Sequence, residues 1–127
     1  ILPRLKTDLL KIFNCAIKNK LNQIKIKWKN KKSMVIVLCS KGYPGYYKKN
    51  KIIKNLDKIN LSKNDFIFHA GTKQKEEVLF SNGGRVLNVA STGINFLTIR
   101  KKIISIIKKI NWKNGFYRKD IGWKVIR

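Results

Sequence analysis

Apolar residues recur near the amino end of this chain in two different periods, which predict a helix and then a strand. Leu5, Leu9, Phe13 and Ala16 are spaced by three or four residues, and lysines lie between them. This spacing predicts an amphipathic helix. From residue 24 to residue 28, isoleucine and tryptophan alternate with lysine. This period of two predicts a strand with one face on a core and the other in water.

The middle of the chain contains several short apolar runs that predict further strands. The run from Met34 to Cys39 is apolar throughout, which predicts a central strand covered on both faces. Residues 66–68 predict a short strand that ends in a bend at His-Ala-Gly-Thr. Residues 77–80 and 85–89 are joined by Ser-Asn-Gly-Gly, which predicts a β-hairpin.

A long helix is predicted after Asn95, which is a suitable N-cap. Lysines occupy the solvent-exposed face of this helix. Its apolar face consists of Phe96, Ile99, Ile103, Ile106, Ile107 and Ile110. The residues after the helix have no clean period, and we expect them to wrap back over the sheet with Trp123 as an anchor in the core. Together these elements predict an α+β fold, in which a small antiparallel, barrel-like sheet carries one long packed helix and an N-terminal helix.

The net charge of +24 is the property that most suggests a nucleic-acid partner, because basic patches release counterions from phosphates. However, 25 of the 30 basic residues are Lys, whereas base-edge and bidentate phosphate recognition favour Arg. The lysines are also scattered, and Lys, Ile and Asn make up 57 of the 127 residues, which indicates a bias toward A- and T-rich codons. We therefore expect no specific nucleic-acid site, and a small basic nucleic-acid-binding protein stays the alternative.

Length and cysteine content predict one domain with its own core. A chain of 127 residues is long enough to bury most of the apolar surface that it would expose when unfolded. No apolar run approaches the roughly 18 residues of a membrane span, so no membrane partner is expected. Cys15 and Cys39 lie in apolar settings without a CxxC pattern, which predicts two buried, reduced thiols in a cytoplasmic protein.

Five ordered blocks of sequence carry a resemblance to a known family. They read ILPRLKTDLL, LCSKGYPGYYKKNKII, HAGT, SNGGRVLNV and RKDIGW. In this order and spacing they resemble the C-terminal domain of glycinamide ribonucleotide synthetase, also called phosphoribosylamine-glycine ligase. The resemblance implies a fold similar to the C-terminal domain of ATP-grasp carboxylases, such as the one that closes biotin carboxylase. It also implies part of a ligase that joins glycine to 5-phosphoribosylamine in de novo purine biosynthesis.

The resemblance implies that ATP and Mg²⁺ are bound by other modules of such an enzyme and not by this chain. Family members carry an ATP-grasp module upstream, which holds ATP and Mg²⁺ and has no counterpart in this sequence. We expect residues 1–22 to form a helical segment linking to that module and residues 23–127 to form the C-terminal domain. The expected partners are the upstream ATP-grasp and N-terminal modules, glycine and phosphoribosylamine, and we expect the chain alone to bind no ATP or Mg²⁺ and to be inactive. Three origins of the chain stay open: a fragment of a longer enzyme, the product of a split gene, and a non-functional gene remnant.

The acidic residues predict neither a metal site nor a catalytic residue. There are six, and four of them are isolated in the sequence. Glu76 and Glu77 are adjacent, so on a strand their side chains point to opposite faces. An ATP-dependent ligase needs clustered carboxylates for Mg²⁺, and this chain also contains a single histidine, His69.

Three groups of residues are the substrate-binding candidates. His69 ends a predicted strand, and the run from Asn82 through Gly83 and Gly84 to Arg85 could offer backbone N–H groups and a guanidinium to a phosphate or carboxylate. Arg4 and Lys6 are candidates because they lie in a segment that resembles the family's Arg-x-Lys-Ser-Asp, which follows the catalytic signature. For each group a purely structural role is the alternative: a hydrogen-bonded histidine, a hairpin turn and a solvated helix start.

Overall fold

The apolar runs of the chain assemble into two antiparallel sheets and three helices. The protein is described by a computed structural model that covers residues 1–126. The strands are β1 Lys32–Ser40, β2 Lys51–Ile53, β3 Asp65–His69, β4 Thr72–Lys75, β5 Val78–Ser81, β6 Arg85–Gly93 and β7 Gly115–Phe116. The helices are α1 Leu9–Ile17, α2 Phe96–Lys109 and α3 Trp123–Ile126. This architecture confirms the predicted α+β class with its antiparallel sheets, long helix and N-terminal helix.

The larger sheet has the strand order β3-β6-β1-β7 and carries most of the core. β1 pairs with β6 from Lys32–Gly93 to Leu38–Leu87, after which a bulge shifts the register at Cys39. Alternate residues of β1 are buried, whereas Val35 on the other face is 47% exposed. The prediction that this strand is covered on both faces was therefore wrong, because only one face of the sheet carries the long helix.

The smaller sheet has the order β2-β5-β4, and it corrects the predicted hairpin. β5 pairs with β4 through a turn in which Glu76 adopts a φ of +53°, and it does not pair with β6. Residues 81–84 instead cross from the smaller sheet to the larger one; we call them the crossover loop. Residues 85–89 were predicted as the partner of β5 because they are apolar, whereas the true partner β4, which lies as near on the other side, has the polar sequence Thr-Lys-Gln-Lys.

Helix α2 buries the predicted apolar stripe against the larger sheet. The Asn95 side chain accepts a hydrogen bond of 2.8 Å from Thr98 N, which confirms it as the N-cap. The side chains of Ile99, Ile103, Ile106 and Ile107 are buried. Each such side chain contributes about 1.5–3 kcal/mol when it leaves water, so this helix supplies much of the stability of the core.

The amino-terminal segment departs most from the prediction. The chain forms a short 3-10 turn at Leu2–Arg4, and α1 begins only at Leu9, since Asp8 accepts from Lys11 N at 2.9 Å as its N-cap. The predicted strand at residues 24–28 is absent, and only Trp28 forms a bridge, to Leu5. A strand needs a neighbouring strand along its length, and here the neighbour is the irregular segment 4–7, which forms only one β-bridge and a few hydrogen bonds.

The burial of the tryptophan and cysteine side chains agrees only in part with the predictions. Trp123 is 46% exposed, so the expectation that it anchors the core was wrong. Trp112 is buried in the core instead, at 7% exposure, where the chain returns to β1 through β7. Cys15 and Cys39 are free thiols that are each partly buried.

Asp65 forms a buried polar junction between β3, β6 and α2. Its carboxylate accepts from Ser91 Oγ at 2.7 Å and from Ser62 Oγ at 2.7 Å. Lys102 Nζ lies 3.0 Å from the same carboxylate, whose side chain is 2% exposed. A buried carboxylate with this many donors fixes α2 on the sheet, because each donor comes from a different segment.

Candidate functional site

The crossover loop is fixed by hydrogen bonds to both neighbouring strands. Asn82 N donates to Gly71 O at 2.7 Å, which ties the loop to the bend after β3. At the end of β1, Ser40 N donates to Gly84 O at 2.8 Å and Ser40 Oγ donates to Gly83 O at 2.8 Å. The carbonyls of Gly83 and Gly84 are thus used by the fold, whereas their N–H groups donate no hydrogen bond within residues 1–126.

Close packing explains the glycines at this junction. A Cβ on Gly71 would lie 2.7 Å from Gly83 Cα and 2.7 Å from Arg85 O, so the two backbone segments touch directly. Gly84 lies under the ring of Tyr43, where a Cβ would approach the ring to 2.1 Å. The glycine pattern therefore has a structural cause, so the glycines by themselves are no evidence for a bound ligand.

Arg85 presents a free guanidinium at the start of β6. Its side chain is exposed, and it has no hydrogen-bond or ion-pair partner among residues 1–126. Burial raises the pKa of the neighbouring Cys39 thiol, and the Arg85 charge offsets this only in part. Cys39 therefore stays a neutral thiol, and the Arg85 charge is left available for an anion.

His69 lies at the same end of the larger sheet as Arg85. The residues that follow His69 run beside β6, since Gly71 N donates to Arg85 O at 3.0 Å. The imidazole is exposed, and its Nδ1 lies 3.1 Å from Thr72 Oγ1. This contact orients the ring and leaves Nε2 without a hydrogen-bond partner in the part of the chain described.

Arg4 lies on the open face of the larger sheet, away from α2. It lines an apolar cleft of about 560 Å³ together with Val35, Phe68 and Asn88. Lys6 does not line this cleft; its side chain is exposed, and its backbone N donates to Lys27 O at 2.9 Å. The structure therefore places His69 and residues 82–85 at the same end of the larger sheet, where only backbone hydrogen bonds join their segments. Arg4 lies on the open face of that sheet, and Lys6 lies apart from it.

Several residues that shape this site were missed in the sequence. Ser40 holds the crossover loop, Tyr43 covers Gly84, and Thr72 orients His69. Tyr43 lies in a motif that the resemblance had already marked, but its contact with Gly84 spans two strands. Thr72 was visible in principle, because a hydroxyl three residues after a histidine across a bend is within reach.

Two negative findings apply to the described residues. Within residues 1–126 no three or more His, Cys, Asp or Glu side chains are grouped so that they could hold a metal ion. In the same range no helix is both long and apolar enough to cross a lipid bilayer.

The fold is similar to a domain found in a solved ligase structure. The solved phosphoribosylamine–glycine ligase of Thermotoga maritima matches 85% of this chain with a TM-score of 0.64 and 29% identity, and the match covers 27% of that chain. A family model described as phosphoribosylglycinamide synthetase, C domain, matches residues 33–124. The chain therefore belongs to the phosphoribosylglycinamide synthetase C-domain family.

Curated relatives agree with this membership. The chain is 39% identical to the chloroplastic phosphoribosylamine–glycine ligase of Arabidopsis thaliana, over 100% of this chain and 24% of the relative. It is 39% identical to the ligase of Agrobacterium fabrum, over 99% of this chain and 29% of the relative. With the Brucella melitensis ligase the identity is 34%, over 99% and 30%. The chain thus spans less than a third of the length of these relatives.

Proposed function

We propose that this chain serves as the C-terminal domain of a cytoplasmic phosphoribosylamine–glycine ligase, which joins glycine to 5-phosphoribosylamine in purine biosynthesis. The observation that carries the proposal is the family match over residues 33–124, supported by relatives that bear the ligase name. The alternatives, a nucleic-acid-binding protein and a gene remnant, gain no support from these matches. The free thiols Cys15 and Cys39 suit a reducing compartment.

ATP and Mg²⁺ belong, in this proposal, to the remainder of the ligase. Mg²⁺ is held by carboxylates and phosphate oxygens, and the described residues offer no carboxylate cluster that fits it. The contribution of this chain is binding: Arg85, Asn82 and His69 would complete one wall of the substrate cleft. The phosphate of phosphoribosylamine and the carboxylate of glycine are the anions that Arg85 suits.

The amino-terminal segment would connect and dock this domain to the upstream modules. The α1 side chains Leu10, Phe13 and Ile17 are 70%, 53% and 80% exposed, and α1 buries none of its residues. An amphipathic helix with an uncovered apolar face suits an interface with another module. This supports the proposal that residues 1–22 form the linking segment and residues 23–127 the domain itself.

A domain-replacement experiment tests the proposed function. The matching segment of the Thermotoga maritima ligase is replaced by this chain, and ADP release is measured with ATP, glycine and phosphoribosylamine. We expect the hybrid to release ADP only when all three substrates are present, and we expect the 127-residue chain alone to release none. A folded hybrid no more active than the ligase lacking the segment would contradict the proposal, as would robust turnover by the isolated chain.

Arg85→Gln in that hybrid is expected to lower kcat/KM by about tenfold or more, which corresponds to about 1.4 kcal/mol. The physical reason is loss of a charged, bidentate donor whose side chain has no structural partner among the described residues. The melting temperature is expected to change little. Lys101→Gln, on the wet face of α2, removes the same charge and should keep full activity. Equal kcat/KM values for the two variants would show that Arg85 has no role in binding. A loss of stability in Arg85→Gln large enough to explain its loss of activity would show the same.

A further inference from the structure

The face of the larger sheet that points away from α2 carries two rows of side chains that cross three strands. β6 pairs with β3 on one side and with β1 on the other, which sets the rows in register. We call these six residues the open-face patch: Phe66, Ala90 and Val35 in one row, and Phe68, Asn88 and Val37 in the next. Ile36 and Val89 alternate with them along β1 and β6 and are buried in the core under α2.

The open-face patch is apolar but stays partly in contact with water. Val35 is 47% exposed and Phe68 is 45% exposed. The rings of Phe66 and Phe68 stack with their centroids 5.8 Å apart and their planes within 5° of each other. Apolar surface gains about 25 cal/mol for each Å² that leaves water. A contiguous patch of this kind on a folded domain is typical of an interaction surface.

The composition of the patch differs from that of the other solvent-exposed surfaces of this chain. Lys makes up 25 of the 127 residues, or about one in five. The edge strand β4 has the sequence Thr-Lys-Gln-Lys, and the solvent-exposed face of α2 is also rich in lysine. None of the six patch residues is charged, and two of them are aromatic. Depletion of charge together with aromatic enrichment distinguishes the centre of a protein interface from the rest of a protein surface.

The apolar cleft of about 560 Å³ that Arg4 lines opens onto this patch. Val35 and Phe68 form one wall, and Leu2 and Pro3 of the amino-terminal turn form the other. Leu2 is exposed as well. A groove with apolar side chains on both walls suits a protruding apolar side chain of a partner protein, which would fill it as an anchor.

Two observations select the partner. The match to the Arabidopsis thaliana ligase covers 100% of this chain, including the turn Leu2–Arg4 that walls the cleft, but 24% of the relative. In a ligase that carries this domain as its C domain, the preceding module therefore connects to the domain at the rim of the cleft. A second copy of the chain is disfavoured, because two molecules with a net charge of +24 repel each other.

We propose that the open-face patch is the surface through which this domain packs against the module that precedes it in a phosphoribosylamine–glycine ligase. An apolar side chain of that module fills the cleft, and the two rows of the patch are removed from water. This inference rests on the proposed function. It concerns a surface that shares no residue with α1, with His69 or with residues 82–85.

Hydroxyl-radical labelling of aromatic side chains tests the proposal in the free 127-residue chain and in the hybrid ligase described above. We expect labelling of Phe68 to be slower by about fivefold or more in the hybrid, because the module shields the ring. Tyr46, which is exposed in the turn after β1, should be labelled within about twofold in both proteins. Equal labelling of Phe68 in the two proteins would overturn the proposal. ADP release reports on the proposed function separately, so an active hybrid with an unshielded Phe68 would overturn this inference alone.

Phe68→Glu and Ile94→Glu form a matched pair, since each places a carboxylate at an exposed apolar position. Only Phe68 belongs to the patch. In the hybrid, Phe68→Glu is expected to undock the domain and to raise labelling of Phe66 by about threefold or more, because an unpaired carboxylate resists burial. Ile94→Glu should leave Phe66 shielded. The ratio of Phe66 labelling in the hybrid to that in the free chain removes the effect of the lost stacking partner.

Two outcomes of these measurements would contradict the docking surface. Equal ratios for Phe68→Glu and Ile94→Glu would show that the patch is not an interface with the module. A dimer of the free chain that forms with rising concentration and is abolished by Phe68→Glu would assign the patch to a second copy instead. Labelling of the unsubstituted chain does not depend on the folding of either variant, so it decides the proposal by itself.

Discussion

Gly71→Ala is expected to destabilise the protein by about 3 kcal/mol, at the upper end of what overpacking costs. The added Cβ would meet Gly83 Cα and Arg85 O at 2.7 Å each. Both are backbone atoms that hydrogen bonds hold in place, so no rotamer change can relieve the contact. The loss would be measured as the free energy of unfolding in urea, and we expect a melting temperature lower by about 10 °C.

Gly45→Ala is the matched control for this substitution. A Cβ at Gly45 would meet only Gly42 O, at 3.3 Å, so we expect a change below about 1 kcal/mol. Similar stabilities for Gly71→Ala and Gly45→Ala would show that the junction between the two sheets is loose. That result would also contradict the explanation of Gly71, Gly83 and Gly84 by close packing, and it would favour a role of these glycines in ligand binding.

Asp65→Ala is expected to cost about 2–4 kcal/mol of unfolding free energy. The substitution leaves the hydroxyl of Ser91 and that of Ser62 without their acceptor, and Ser91 is fully buried. Lys102 is 43% exposed and can turn to water, which limits the loss. Asp57→Ala is the control: Asp57 is exposed and has no side-chain partner within residues 1–126, so we expect a change below about 0.5 kcal/mol.

The same carboxylate makes stability depend on pH. Burial alone would raise the pKa of Asp65, but the hydrogen bonds from Ser62, Ser91 and Lys102 outweigh it and hold the pKa below its ordinary value of about 3.8. The folded state therefore binds this proton less readily than the unfolded state does. Its contribution is complete above that ordinary value and is lost as the pH falls through the folded pKa.

Comparison of the wild type with Asp65→Asn measures this linkage. The difference in their unfolding free energies should be constant near about pH 6 and should shrink toward about pH 3. Measurement of both proteins at each pH cancels the general effect of the high positive charge. A difference that stays constant down to about pH 3 would show that the Asp65 hydrogen bonds do not favour its ionised form.

Local signals in the sequence predicted the elements that depend on local interactions. Helix α2 was predicted because its cap at Asn95 and its isoleucine stripe lie within one segment. The strand pairings were harder to predict, since the segments on both sides of β5 are close enough in sequence to pair with it and only the three-dimensional arrangement selects β4. The strand predicted at residues 24–28 failed for the same reason, because alternation cannot supply the neighbour that a strand requires.

The candidate site was only partly readable from the sequence. His69 and Arg85 stay candidates, which were chosen because the resemblance and the residue chemistry both marked them. Their location at one end of the larger sheet follows from the pairing of β3 with β6, which joins residues about twenty positions apart and has no local signal.

The crossover loop also constrains how the length of this chain can change over evolution. β6 is paired on both edges, so the direction of the Arg85 side chain depends on strand parity and on the number of residues in the loop. One inserted residue in the loop would displace either Arg85 or the hydrogen bonds of Gly83 and Gly84. The exposed turn at Glu76 and Glu77 joins the edge strand β4 to β5, so a change of length there leaves the larger sheet and Arg85 in place, and insertions or deletions among homologous domains should collect there.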